Sequence, residues 1–367
     1  MKFKLLDRYI LSQVVIATFA CLLVVMIVWI MPEILPKTVQ RTLSGSYTHT
    51  EAIAVLINEL PKVLNIALPV SMLLGSIITF EKLSKDFEIT VMRSSGFSFL
   101  RIIISVVIFS IFMTGATFIV GSKLLPDSAI RLKDIKEDNR SSQFVFPIKN
   151  KDDSMKKILI VPNFDENNIR EVIVLNFYDE YEKGSSLLSS IVVSDFVKYD
   201  YKTWTINTGK EYLISEEGIF YDNNEIKDVV ILDGQSAQNA YKLMKYSVYR
   251  DRELTNSQIT EYIKLLKKEK MDDEYRFMLN KYLQRFIHSI MCIIFAILGC
   301  LLGFSQPREQ KFLGLLIAVC IIFAYYITIP FFDLMAEKAV LSPWITSIIA
   351  PVTSIILIII LKRAKDL

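Results

Sequence analysis

Six long stretches of the sequence contain no aspartate, glutamate, lysine or arginine, and they constrain the fold more than any other feature. They are residues 14–31, 63–80, 102–121, 286–304, 312–332 and 343–361. A helix rises about 1.5 Å per residue, so roughly twenty apolar residues cross the ~30 Å hydrocarbon core of a bilayer. We therefore predict a membrane α-helical bundle of six transmembrane helices.

The first run differs from a signal peptide. It is longer than the apolar core of such a peptide, and no small-residue cleavage site follows it. Residues 29–36, WIMPEILP, come next instead. We therefore predict that residues 14–31 are retained as the first transmembrane helix.

Lysine and arginine in the short connecting segments predict the orientation. Twelve lie on the side that carries both termini and residues 81–101, and four lie on the other side. Positive residues favour the cytoplasmic side, so both termini are predicted to be cytoplasmic. Residues 122–285 then form an outside domain between residues 1–121, with helices one to three, and residues 286–367, with helices four to six.

The sequence of the outside domain predicts mostly β-strands. Candidate strands, rich in Val, Ile, Phe, Tyr and Thr, are residues 143–148, 157–161, 171–176, 190–195, 204–207, 211–215 and 228–232. Short strands separated by frequent turns predict an all-β sandwich or jelly roll. A helix is predicted after them, with Ser257 as its N-cap and Ile259, Tyr262, Ile263 and Leu266 on one face. The four cysteines all lie in the apolar runs, so this domain is predicted to use no disulfide.

The residues argue against an enzyme. The two histidines, His49 and His288, lie outside the β region, which therefore has neither His nor Cys for a nucleophile pair or a usual zinc site. We predict no catalytic residue, cofactor or metal. The chain also lacks a G-x-x-x-x-G-K-[ST] motif, so any ATP must be bound by a partner. The small net charge of +3, without a basic block, argues against a nucleic-acid partner.

Charge-free helices suit an amphiphile or lipid better than an ion. We interpret His288 as a polar residue at the lipid–water boundary or one that is hydrogen bonded inside the bundle. Lys37, Arg41 and Lys62 flank the outer ends of the first two helices. They are candidate contacts for an anionic lipid, and ordinary headgroup contact is the alternative.

The insert at residues 81–101, EKLSKDFEITVMRSSGFSFLR, is longer than a turn requires. Leu83, Phe87 and Val91 recur every four residues, which predicts one helix over residues 82–95 with an apolar stripe. Gly96 is predicted to end that helix in the left-handed conformation. The stripe suits either a helix lying on the membrane surface or a docking helix for a cytoplasmic protein.

The same region carries a family resemblance. Residues 68–75, LPVSMLLG, and 83–98, LSKDFEITVMRSSGFS, resemble the "LP…LLG…LS…SE…MRASG.S" pattern of the lipopolysaccharide export system permease family, LptF/LptG. Residues 6–10, LDRYI, resemble the N-terminal segment of the family. Arg285 and residues 298–303, LGCLLG, resemble its fourth helix. The order of three helices, outside β domain and three helices matches over essentially the whole chain. The family often has a proline early in helix four, where this chain has His288.

The resemblance implies a permease subunit of an ABC transporter in the bacterial inner membrane. Its implied partners are a cytoplasmic ATP-binding subunit dimer, a second permease of the same family and a periplasmic jelly-roll bridge protein. Lipopolysaccharide would pass from between the permeases to that bridge. The implied ATPase-docking residues are Leu83, Phe87, Glu88, Val91 and Arg93, with Glu88 at the place of the family's coupling-helix glutamate. Three alternatives stay open: an exporter of another lipid or glycolipid, a membrane receptor with an outside sensor domain, and a membrane enzyme that acts on lipid.

Overall fold

The structure is a computed structural model. It describes residues 5–135, 142–150, 154–165, 168–169, 171–178, 187–199, 202–304 and 313–365. The first residue of the predicted run 312–332 therefore lies outside the described residues. The chain forms two compact units, of which one comprises Met1–Lys136 with Leu279–Leu367 and the other comprises Glu137–Met278.

The first unit is built of helices. They are α1 (Leu5–Glu33), α2 (Leu35–Leu43), α3 (His49–Lys85), α4 (Glu88–Ser94), α5 (Phe99–Ile119), α6 (Leu125–Ile135), α9 (Asp272–Gly303), α10 (Leu313–Glu337) and α11 (Pro343–Ala364). A π-helical turn, Val120–Leu124, joins α5 to α6. Six helical segments in the described part of the chain are long and apolar enough to cross a membrane, and each overlaps one predicted run. The prediction of six membrane helices is confirmed.

Hydroxyl side chains define where several of these helices begin. Thr48 and Glu51 form a capping box at the start of α3, in which each side chain bonds the other's backbone N–H. Ser98 caps α5 and Ser342 caps α11, each by accepting a backbone N–H three residues later. These contacts satisfy N–H groups that the first turn of a helix leaves without a partner.

Helices α3 and α9 form the centre of the bundle. Most of the apolar stretch of each is buried, whereas α1, α10 and α11 expose most of theirs. One core cluster joins α1, α3, α5 and α9 and contains Ile10, Met72, Ile102 and Ala296. A second joins α3, α9, α10 and α11 around residues such as Phe295. An apolar surface as extensive as that of α1, α10 and α11 is suited to lipid or to another membrane helix.

Close helix crossings explain the glycines of the two motifs. A Cβ placed on Gly75 would lie 2.6 Å from Thr18 Cα, so α1 crosses α3 at this point. A Cβ on Gly299 would lie 2.6 Å from the backbone oxygen of Leu73, where α9 crosses α3. Small residues permit such approaches, which bring backbones together in membrane bundles.

We expect Gly75→Ala to destabilise the bundle by about 1–3 kcal/mol, because the new methyl group meets backbone atoms that only a helix shift can move. Gly115→Ala is the matched control, since a Cβ at Gly115 has no heavy atom within 4 Å. It should leave stability unchanged or raise it by up to about 1 kcal/mol. Thermal unfolding of the two variants in detergent measures the difference, and equal midpoints would contradict the crossing at Gly75.

The described part of the second unit contains one antiparallel sheet, two complete helices, a 3₁₀ turn (Asp251–Glu253) and the first residues of α9. Its strands are β1 (Ser142–Lys149), β2 (Met155–Asp165), β3 (Asn168–Ile169), β4 (Val172–Phe177), β5 (Leu188–Tyr199), β6 (Thr203–Ile214) and β7 (Phe220–Asp233). They pair in the order β1-β2-β4-β5-β6-β7, with β3 also paired to β2. The predicted β sheet in the inserted region is confirmed, and helices follow it. Apart from the two-residue β3, the strands pair in chain order. The jelly-roll topology stays a prediction.

One difference from the predicted strand boundaries is at β6. The candidates at residues 204–207 and 211–215 belong to the single strand β6, whose register against β5 is shifted between Val193 and Phe196. Gly209 lies opposite this irregularity, and a Cβ there would be 2.9 Å from the backbone oxygen of Val193. The break predicted between these two strands is therefore a β-bulge, a common reason for glycine inside a strand.

Helices α7 (Gly234–Ser247) and α8 (Asn256–Lys268) follow the sheet. The predicted N-cap Ser257 is wrong by two residues, because Thr255 forms a capping box with Gln258. Ile259, Tyr262 and Leu266 are buried, as their spacing predicts. Glu261 on α8 accepts hydrogen bonds from Lys242 Nζ at 2.7 Å and Tyr246 Oη at 2.8 Å on α7. The hydrogen bond from Lys242 lowers the pKa of Glu261. Burial, and after it the hydrogen bond to Glu261, raises the pKa of Tyr246 to about 12.

Candidate coupling site at the insert between α3 and α5

The insert between the second and third membrane helices consists of two helical pieces. α3 ends at Lys85, and α4 begins at Glu88. Between them Phe87 has a φ of 61°, in the left-handed region that side chains other than glycine rarely adopt. The prediction of one helix over residues 82–95 is therefore wrong, because the backbone turns at Phe87. Gly96 ends α4 with a φ of 87°, which confirms its predicted role.

This turn changes which apolar side chains are accessible. Leu83 is fully buried in the bundle core, whereas Phe87 is 53% exposed and Val91 is 61% exposed. The predicted stripe of three residues therefore does not exist, since Leu83 precedes the turn and faces inward. Ile89, which the sequence interpretation missed, is fully buried and holds α4 against the core. In α4 and the turn before it, the large exposed apolar side chains are Phe87 and Val91, whereas Leu100, also in the insert, is exposed on α5.

Glu88 occupies the first position of α4, where the helix dipole favours a negative charge. Its Oε1 accepts a hydrogen bond of 2.8 Å from Tyr9 Oη on α1. Both side chains keep part of their surface accessible. The contact fixes Glu88 relative to α1 without withdrawing its carboxylate from solvent.

A buried ion pair lies close by in sequence. Arg101 on α5 donates two hydrogen bonds to Asp7 on α1, from Nη1 to Oδ1 at 2.6 Å and from Nη2 to Oδ2 at 2.8 Å. Ser105 Oγ also donates to Asp7 Oδ1, at 3.0 Å. Paired N–H donors fix the orientation of a carboxylate as well as its position. Asp7 and Tyr9 both lie in LDRYI, so that motif contacts α5 and α4, respectively, which its sequence alone did not show.

Arg93, in the last turn of α4, contacts the C-terminal end of α9. Its guanidinium carbon lies 5.7 Å from the centre of the Phe304 ring. Lys365 approaches the same ring and donates through Nζ to the backbone oxygens of Leu301, at 2.8 Å, and Phe304. Cations are favourable at a helix C-terminus, where backbone carbonyls have no partner within the helix. The insert is thus connected to α1, α5 and α9.

Of the basic residues predicted to contact anionic lipid, Lys37 and Arg41 lie in α2 and Lys62 lies in α3. Lys62 Nζ is 3.1 Å from Glu33 Oε1, so a carboxylate partly offsets its charge. Arg41 bonds the hydroxyl of Tyr47 at 2.5 Å and lies 5.4 Å from the centre of its ring. Lys37 is exposed. Among the described residues, no group of three or more His, Cys, Asp or Glu side chains could hold a metal ion.

Comparison with protein families decides the assignment. The family model described as lipopolysaccharide export system permease LptF/LptG matches residues 8–363, nearly the entire chain. The chain belongs to the LptF/LptG family. The comparison with individual curated proteins returns no significant match.

Membership of LptF/LptG accounts for the architecture. The family and the six apolar helices together define a multi-pass inner-membrane protein with an inserted β domain, and its function is that of a component of the lipopolysaccharide export permease. A permease subunit transports rather than catalyses. Its partners belong to the same export system.

Proposed function

We propose that the chain is the permease subunit of an ABC transporter that extracts lipopolysaccharide from the inner membrane and passes it to a periplasmic bridge protein. ATP hydrolysis in a separate subunit drives the transport. The observation that carries the proposal is Phe87, an exposed aromatic residue in a left-handed backbone conformation inside a chain of the LptF/LptG family. A conformation of this kind costs about 1–2 kcal/mol, and strained residues cluster at functional sites.

The docking surface in this proposal comprises Phe87, Glu88, Val91 and Arg93. Two exposed apolar side chains bordered by opposite charges suit a groove in a cytoplasmic ATPase. The buried Ile89 and the Tyr9–Glu88 hydrogen bond fix α4 to the bundle. A displacement of α4 by the ATPase therefore also displaces the helices that it contacts. Leu83, buried behind the turn, contributes to this rigidity and not to the surface.

The membrane topology that we propose rests on the excess of lysine and arginine on one side of the membrane. Both termini and the insert are cytoplasmic, residues 122–285 form the periplasmic domain, and residues 1–121 and 286–367 form the membrane part. A second permease of the same family covers exposed apolar surface of α1 and α10. Lys37, Arg41 and Lys62 attract the anionic headgroup of lipopolysaccharide. The periplasmic domain has a jelly-roll fold and transfers the lipid to a bridge protein with a related fold.

We expect Phe87→Gly to raise thermal stability slightly while releasing the ATPase. Glycine adopts the left-handed conformation without strain, and the variant removes the ring that would fill the groove. The measurement is the amount of ATP-binding subunit that co-purifies in mild detergent, together with the unfolding midpoint.

Ala339→Gly is the matched control for Phe87→Gly. Ala339 also has a positive φ, 58°, but it follows α10 and lies far along the chain from the insert. Its replacement should stabilise the protein and leave the ATPase bound. A Phe87→Gly permease that retains a full complement of ATPase would refute the docking surface.

The transport function is tested with proteoliposomes that contain the permeases and the ATPase. The expected result is ATP-dependent release of lipopolysaccharide to a soluble periplasmic acceptor. Release of phospholipid or another glycolipid in its place would assign the protein to export of a different lipid. An absence of any ATP-dependent release would overturn the transport proposal.

A further inference from the structure

Helix α3 contains a proline in the middle of its membrane-spanning part. Pro69 has no backbone N–H, so the carbonyl of Asn65, four residues earlier, lacks the helical hydrogen bond it would otherwise accept. In the hydrocarbon region water cannot replace that bond, and an unpaired carbonyl is costly. Another helix must therefore supply a donor.

His288 on α9 supplies it. Nε2 of His288 lies 2.9 Å from the carbonyl oxygen of Asn65, and Nδ1 lies 2.9 Å from Tyr325 Oη on α10. Because a carbonyl oxygen only accepts, Nε2 carries the hydrogen. In the neutral imidazole Nδ1 then accepts from the Tyr325 hydroxyl. A directed chain of two hydrogen bonds thus runs from α10 through α9 to the proline break in α3.

The next carbonyl of the break has a second donor. Tyr326 Oη, also on α10, donates to the backbone oxygen of Ile66 at 3.0 Å. The Tyr326 ring packs edge-on against Tyr325, with ring centres 5.0 Å apart, and against Trp29 of α1, at 6.4 Å. Two consecutive tyrosines therefore join α10 to the break, one through His288 and the other directly.

The third membrane helix also meets the break. A methyl group on Gly121, within the π-helical turn Val120–Leu124, would lie 3.1 Å from Asn65 Oδ1. Single π-helical turns inside longer helices occur frequently at functional sites. The irregularities of the two helices, the proline break and the π turn, therefore lie side by side at Asn65.

We propose that the break at Pro69 is a joint in α3, and that His288, Tyr325 and Tyr326 are positioning residues that connect this joint to α10. The inference rests on the proposed function, in which an ATPase moves α4. α4 follows directly on the cytoplasmic end of α3, whose segment between Pro69 and Lys85 is mostly buried and moves with its neighbours. Movement of that segment reaches the joint, and the hydrogen bonds transmit it to α10, whose surface is largely exposed to lipid or a second permease.

The test is the amount of lipopolysaccharide released per ATP hydrolysed by the reconstituted complex. His288→Leu removes both hydrogen bonds, and we expect a decrease of about tenfold with ATPase activity retained. His288→Gln offers an amide donor and an amide oxygen acceptor and should stay within about twofold of wild type. Tyr326→Phe, which removes one hydroxyl, should show an intermediate decrease. Wild-type coupling in His288→Leu, or equal defects in the Leu and Gln variants, would overturn the proposal.

A double variant separates positioning from simple structural support. Pro69→Ala restores the backbone N–H, so Pro69→Ala/His288→Leu should regain slow hydrogen exchange at residues 70–73 that His288→Leu loses. Its release per ATP should nevertheless stay low, because the joint is gone. A double variant that transports as wild type would show that His288 only supports the helix.

Hydrogen exchange is measured on the full chain without ATPase or lipopolysaccharide. It therefore reports on the hydrogen bonds even when the wild-type complex exports nothing. Failure of wild-type release refutes the proposed function, whereas unchanged exchange in His288→Leu refutes the joint alone.

Discussion

Glu88→Lys is expected to abolish lipopolysaccharide release, by at least about a hundredfold, while the ATPase continues to hydrolyse ATP. The substitution reverses the charge at the first position of α4, where the helix dipole disfavours a cation. It also removes the acceptor for Tyr9 Oη and places a third cation beside Lys85 and Arg93. The measurement is release per ATP in the reconstituted complex, and Glu88→Ala should show the same uncoupling to a smaller degree.

Two further variants separate the roles of the Glu88 carboxylate. Tyr9→Phe removes only the bond within the chain, and Glu88→Gln keeps an acceptor for Tyr9 while removing the charge. If Glu88 acts through the ATPase, Glu88→Gln should impair release more than Tyr9→Phe does. Unchanged transport in Glu88→Lys would contradict the proposed docking surface.

The second large effect is expected at Asp333, near the end of α10. Its Oδ1 accepts from Asn280 Nδ2 at 2.7 Å and Gln284 Nε2 at 2.5 Å, and its Oδ2 lies 2.5 Å from Lys281 Nζ. Asn280 is itself fully buried, and its Oδ1 accepts from Thr346 Oγ1 and Ser347 Oγ on α11, each at 2.9 Å. We expect Asp333→Ala to lower the free energy of unfolding by about 3–5 kcal/mol, because it removes the carboxylate that accepts from the buried Asn280 amide, the Gln284 amide and the partly buried Lys281 ammonium.

A matched double variant tests this account of Asp333. Lys281→Met/Asp333→Leu removes both charges and fills similar volume, so it should recover much of the loss. Asp333→Asn, which keeps an acceptor for the amides, should lie between wild type and Asp333→Ala. Thermal unfolding in detergent gives the comparison. Equal losses in the double variant and in Asp333→Ala would show that the amide bonds, and not the ion pair, dominate.

The sequence predicted the six membrane helices because charge-free length is a direct requirement of the bilayer. It failed at the insert for a different reason. A stripe of Leu83, Phe87 and Val91 assumes continuous helical dihedrals, and the spacing of side chains carries no information about the left-handed turn at Phe87. The β region was predicted in character, but the bulge opposite Gly209 was interpreted as a turn.

The polar contacts of Asp333 were missed because its partners lie far from it in the sequence. Asp333 lies one residue beyond the charge-free run 312–332, and its partners on α9 are about fifty residues away. His288 was interpreted as a residue at the lipid–water boundary or one that is hydrogen bonded inside the bundle, and the second alternative is confirmed. A proline within a membrane helix always frees the carbonyl four residues earlier, so Pro69 predicts a donor from elsewhere, and His288 is a polar residue in a run otherwise almost wholly apolar.

The two units differ in the distance along the sequence between the segments that contact each other, and this difference affects the order of folding. In the sheet each strand pairs with neighbours close in sequence, so hairpins can form one after another as the chain is made. In the bundle Leu73 and Ile77 pack against Phe295 and Leu298, more than two hundred residues later. The central crossing of α3 and α9 therefore closes late, after the β domain has been synthesised. Until then α3 presents an apolar face that the surrounding lipid must shield.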